Sequence, residues 1–162
     1  IRQYEATRRT DTAVGISVNP DDYTDAQEFE LAVSIHASIG VQCLLQDRPL
    51  TAHAGDDHTT PRNATTFLDS CSAIEPDLDD NPNLAQGTLD YAADASFYYF
   101  TVGRLKDVDE IKHMALALPR SATCVVLQAA VSQQRAIRRF PNFILATGGD
   151  LNDLPMIMGV LS

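Results

Sequence analysis

Residues 12–22 read TAVGISVNPDD. A short apolar run rich in β-branched residues is cut off by Asn19-Pro20-Asp21-Asp22, a strong stop signal, so the spacing predicts a strand over 12–18. The next segment has a different period. From 25 to 45, Phe29, Val33, His36, Ala37, Gly40 and Leu44 recur at three- and four-residue steps and make one apolar stripe, which predicts a long helix. Thr24 or Asp25 can cap its start, and Glu28 sits in its first turn, where the helix dipole favours a carboxylate. Pro49 marks the exit. LTAHAG (50–55) then alternates apolar and polar residues, as a half-buried strand does.

Working outward from this β-α-β unit, the same alternation continues. DDHTTPRN (56–63) reads as a loop, and a short helix is expected over 63–74 with Phe67, Leu68, Cys71 and Ile74 on one side. The polar stretch 75–83 leads to a helix from Leu84 to about Ala95. SFYYFTVG (96–103) is too short for a helix and reads as a central strand. Residues 107–118 form a helix with acidic residues in the first turn and a stop at Pro119. ATCVVLQAA (122–130) is a buried strand, SQQRAIRRF (132–140) a short amphipathic helix, FILATG (143–148) a strand, and Asp150 or Asn152 opens a last helix ending near Leu161. Short apolar strands alternating with amphipathic helices imply an α/β fold: a three-layer sandwich with a mostly parallel central sheet and helices on both faces. The 162 residues fit one domain, 1–162. Because the chain opens on Ile1 rather than Met, that domain is expected to be a fragment of a longer protein.

Twelve basic against 22 acidic residues give a formal net charge of −10. Such a chain is repelled by phosphate backbones and by anionic membrane surfaces, so neither nucleic acid nor direct membrane contact is expected. Arg2, Arg8 and Arg9, then Arg135, Arg138 and Arg139, and the acidic group that follows Glu75 (Asp77, Asp79, Asp80, Asp90 and Asp94) read as solvated faces. Cys43, Cys71 and Cys124 form no CxxC pair, and two of them lie in apolar runs; all three are expected to be reduced, which points to a cytoplasmic setting. No stretch has the ~18 consecutive apolar residues of a membrane span.

In sheets of this kind ligands gather beyond the carboxyl ends of the strands. Three such places carry Asn19-Pro20-Asp21-Asp22-Tyr23, Gln86-Gly87-Thr88-Leu89 and Thr101-Val102-Gly103-Arg104. In order and spacing they resemble the von Willebrand factor A family, which holds one divalent cation through a D-x-S-x-S motif, a threonine and the aspartate of a T-D-G motif. Only Thr88 matches. The motif's first aspartate falls at Asn19, its serines at Asp21 and Tyr23, and the T-D-G aspartate at Val102, which has no oxygen to offer a hard cation. The resemblance therefore implies a degenerate metal site, with Asn19, Asp21, Asp22, Tyr23, Thr88 and Arg104 left as a binding face. Arg2-Gln3-Tyr4-Glu5, strand one, Phe29 to Ser34 and Ala37-Ser38-Ile39 resemble a bacterial group within that family, the domain-of-unknown-function family 58. That resemblance implies a cytoplasmic, non-enzymatic interaction domain of a membrane-anchored protein, working with a MoxR-type AAA+ ATPase and needing no cofactor. The alternative is a divalent-metal-dependent ligand-binding domain that uses a residual site.

Other constellations read more simply. His53-Ala54-Gly55-Asp56-Asp57-His58 offers imidazole and carboxylate ligands, but reads first as a polar strand-end loop. Thr147-Gly148-Gly149-Asp150 lacks the phosphate-loop pattern. His36 reads as a packed core histidine, and Phe97 to Phe100 as strand residues buried on both faces rather than a base-stacking platform. No G-x-S-x-G elbow, activated cysteine or paired carboxylates appear, so no residue is a candidate for catalysis.

Overall fold

The structure is a computed structural model that describes residues 11–55, 57–78, 84–131 and 135–149. The expected last helix and the 2–5 lead-in lie outside them. Among the described residues seven strands form one sheet: β1 (Thr12–Ile16), β2 (Leu50–Ala54), β3 (Asp57–Thr59), β4 (Phe97–Gly103), β5 (Thr123–Ala129), β6 (Ala136–Arg139) and β7 (Ile144–Gly148). Their order is β3-β2-β1-β4-β5-β7-β6. The interior, β2-β1-β4-β5-β7, is parallel, and the two outer strands run antiparallel to their neighbours. The sheet is therefore mixed, with a parallel core.

Among the described residues four helices cover both faces: α1 (Ala26–Leu45), α2 (Ala64–Cys71), α3 (Leu84–Ala92) and α4 (Val108–Leu116). The pleat sorts the strand side chains between them. Val14, Ile16, Leu50, Ala52, Tyr99, Val125 and Leu127 pack against Phe29, Ile35, Ile39 and Cys43 of α1 and Phe67 of α2. Ala13, Tyr98, Phe100, Val102, Val126 and Leu145 pack against Leu84 and Ala85 of α3 and Ile111, Met114 and Ala115 of α4. The aromatic strand β4 is thus buried on both faces, as its composition predicts. By length and composition alone α1 is long enough and apolar enough to cross a membrane; here its apolar stripe lies on the sheet.

Two segments differ from the sequence reading. The loop expected over 56–63 contains β3, which folds back on β2 with Ala54 opposite Asp57. Gly55 at φ 59° makes the reversal, a backbone conformation that costs glycine little. Of the helix expected over 132–140, residues 132–134 lie outside the described residues, and 136–139 form strand β6 instead. It pairs with β7 through a tight turn at Pro141-Asn142, where the Phe140 N–H donates to the Phe143 carbonyl at 2.9 Å. A proline after Phe140 suits a turn, and pairing Arg138 with Leu145 satisfies backbone groups that one helical turn would have left open.

Candidate functional site

After β1 the chain moves outward through β2 and β3, then returns through α2 and α3 to place β4 on the other side of β1. The strand order reverses between β1 and β4, and that is where an open parallel sheet leaves a crevice at its carboxyl edge. The loops that close it are 17–25 and 104–107.

The two loops are tied by hydrogen bonds at successive levels. The Ser17 N–H donates to the Thr101 carbonyl at 3.0 Å, and the Leu105 N–H to the Asp22 carbonyl at 3.0 Å. The Tyr23 hydroxyl donates to the Ser17 carbonyl at 2.6 Å. Asn19 caps the 3-10 turn Pro20–Asp22 by accepting from the Asp21 N–H at 2.9 Å. Gly103 is required by contact rather than by torsion, because a Cβ there would overlap the Asp22 carbonyl.

Glu28, 1% exposed, is the buried post beneath these loops. Its Oε1 accepts from the Thr24 N–H at 3.2 Å and the Arg104 N–H at 2.9 Å, and its Oε2 from the Thr24 hydroxyl at 2.8 Å. A carboxyl group whose oxygens accept from three donors is a satisfied buried polar group. Asp25 caps α1 by accepting from the Glu28 N–H at 2.9 Å. The Asp25-x-x-Glu28 spacing resembles a capping box, with the glutamate reaching back past the cap to Thr24 and across to β4.

Asp22 is the site's other anchored carboxylate. The Ser17 hydroxyl donates to it. Lys106, its side chain 4% exposed, brings Nζ to 3.9 Å from Asp22 Oδ2 and 3.2 Å from Glu110 Oε2. The charge of Asp22 is offset by an ammonium of the same chain.

The residues singled out by the motif comparison separate into two groups. Asn19, Asp21, Asp22, Tyr23 and Arg104 come together at the β1–β4 edge, with Asp21 and Arg104 exposed and Tyr23 buried against Phe29 at 5.1 Å. Thr88 does not join them. It is 1% exposed on α3, beneath the opposite face of the sheet, where its Oγ1 would stand 3.0 Å from a Cβ on Gly15. Val102 is fully buried beside Phe100 in the same layer. The oxygen set that would grip a divalent cation therefore does not assemble: its threonine is sequestered, its last aspartate is a valine, and a lysine approaches its nearest carboxylate. The residues present do not fit that ion.

The His53–His58 cluster is also divided. His53 pairs with His58 and with Gly15, so both imidazoles lie on the α3 face. There His58 stacks on Tyr91 at 3.6 Å, and His53 packs over Gly87. Asp57, one residue from His58, points to the other face by the pleat. Burial pushes the Cys71 thiol up to about 11 and the Cys124 thiol up to about 12, so neither is a thiolate at neutral pH.

Ser17, Glu28 and Lys106 were not singled out in the sequence. Glu28 carried a signal, the capping-box spacing. Lys106 carried none, because its value comes from a turn that brings residue 106 back to residue 22. Compared with protein families, curated proteins and solved structures, the chain matches no family model, no curated protein and no solved structure.

Proposed function

We propose that this chain is a von Willebrand factor A-like interaction domain that binds a protein partner at its β1–β4 edge without a divalent cation. The partner we propose is a MoxR-type AAA+ ATPase, and the setting the cytoplasmic part of a membrane-anchored bacterial protein. The parallel core with helices on both faces agrees with the architecture that the motif resemblance implies. The observation that carries the reading is Leu105. It is 56% exposed, and its N–H donates to the Asp22 carbonyl of the loop after β1, while the N–H of its exposed neighbour Arg104 donates to Glu28. A leucine and an arginine held outward on a rigid frame lose little entropy on docking, and arginine is enriched among the residues that dominate interface energies. Ser17, whose hydroxyl donates to Asp22 at this edge, is only 5% exposed and so poorly placed to attack a substrate, and binding explains the edge better than catalysis.

The test is capture of the ATPase by the purified protein, comparing wild type with Arg104→Glu/Leu105→Ser. Both positions are exposed, so the melting temperature should stay within about 2 °C of wild type, as expected for surface changes of this kind. Affinity should fall by about tenfold or more, the usual cost of losing an anchor residue. Unchanged capture by the double variant would remove the β1–β4 edge as the docking face.

A further inference from the structure

A cavity of about 510 Å³ opens between β2, β3, α1 and α2, clear of the Arg104–Leu105 surface. That size suits a small organic molecule. Its polarity is graded. His36 and Phe67 lie deep, at 2% and 1% exposure, with their rings 5.7 Å apart. Ile74 adds an apolar wall, and the exposed carboxylates Asp57, Glu75 and Asp77 stand at the mouth. Among the described residues no lysine or arginine lines it.

His36 is the feature packing does not explain. Its Nδ1 is buried with no hydrogen-bond partner among the described residues. Buried polar atoms are nearly always paired, and an exception calls for a reason. Burial, reinforced by His53, pushes the imidazole down to about 4, so the ring is neutral at physiological pH and one of its two nitrogens is a hydrogen-bond acceptor. A transition metal is a poor match, because no three His, Cys, Asp or Glu side chains gather to hold one among the described residues. An anion is disfavoured by the three carboxylates at the mouth.

We propose that this cavity binds a small amphipathic amine, with its ammonium at the mouth beside Asp57 and Glu75, its apolar body against Phe67 and Ile74, and a hydroxyl donating to His36. Each part of the ligand answers one part of the cavity: charge at the mouth, an apolar wall, a lone acceptor at depth. The proposal stands apart from the docking face and does not depend on it.

Tyramine has these three parts and is the probe. Calorimetry at neutral pH should show saturable binding. Phenethylamine, which lacks the hydroxyl, should bind about tenfold more weakly, and 4-hydroxyphenylacetate, whose carboxylate replaces the amine, should not bind. In Asp57→Asn/Glu75→Gln, altered only at exposed positions, tyramine affinity should fall about tenfold or more. His36→Phe should bind tyramine and phenethylamine alike. No binding of tyramine, equal binding of 4-hydroxyphenylacetate, or wild-type affinity in the mouth variant would each overturn the proposal. The mouth variant keeps the test decisive even if His36→Phe does not fold.

Discussion

Glu28 and His36 sit eight residues apart on one face of α1, both at 2% exposure or less, and they meet burial in opposite ways. Glu28 keeps its role by collecting donors from Thr24 and from the backbone of Arg104. His36 has no such set, and desolvation holds it neutral, with its folded value near 4 against 6.5 for an unhindered imidazole. Because the folded value is lowered, the unfolded chain binds more protons between these limits. The contribution of His36 is thus fully present above about pH 6.5 and is lost as pH falls toward 4. A shift of this size corresponds to roughly 3 kcal/mol. Urea unfolding of wild type at pH 7 and pH 4.5 should show most of that loss, beyond the loss in His36→Phe over the same interval. Parallel pH dependence in the two proteins would mean that His36 is not held neutral by the fold. From sequence, His36 was legible as a core residue because it lies on the apolar stripe. Its lack of a partner was not, since that depends on what α2 and β2 place around it.

At the scale of elements, local signals located what local chemistry determines. α1 begins where Asp25 and Glu28 predict, and α2 begins after Asn63, whose side chain accepts from the Thr66 N–H at 2.9 Å. Asp25→Ala removes one such cap and should cost about 1 kcal/mol, a fall in melting temperature of about 2–4 °C in a chain of this length. A fall of that size in differential scanning calorimetry is the expected result; no fall would mean that Glu28 alone holds the helix start. The two misread segments are the outer strands. β3 has three residues and β6 has four, too few for a period to declare itself, and each exists because a neighbouring strand offers it unpaired backbone. Gly55 and Pro141-Asn142 were the usable turn signals. The tight reversals they mark convert a loop and an apparent helix into antiparallel strands.

At the scale of the whole molecule, strand order puts the β1 and β4 loops side by side, and the chain supplies both members of the charge pair between them. The alternating elements made the layered architecture legible in the sequence, along with the place where the face would form. They did not reveal that Thr88 lies beneath the other face, or that Lys106 returns to Asp22, because each contact joins elements far apart in the chain. We propose that this face holds its shape without a divalent cation because Lys106 offsets Asp22. The direct measurement is thermal unfolding of the wild type and of Lys106→Met, with and without excess magnesium. Removing one partner of a buried pair should destabilise Lys106→Met by roughly 3 kcal/mol, and the wild-type transition should not move with magnesium. A rise in wild-type stability approaching 2.7 kcal/mol, the gain for an ion at about a hundredfold excess over its Kd, would contradict the claim.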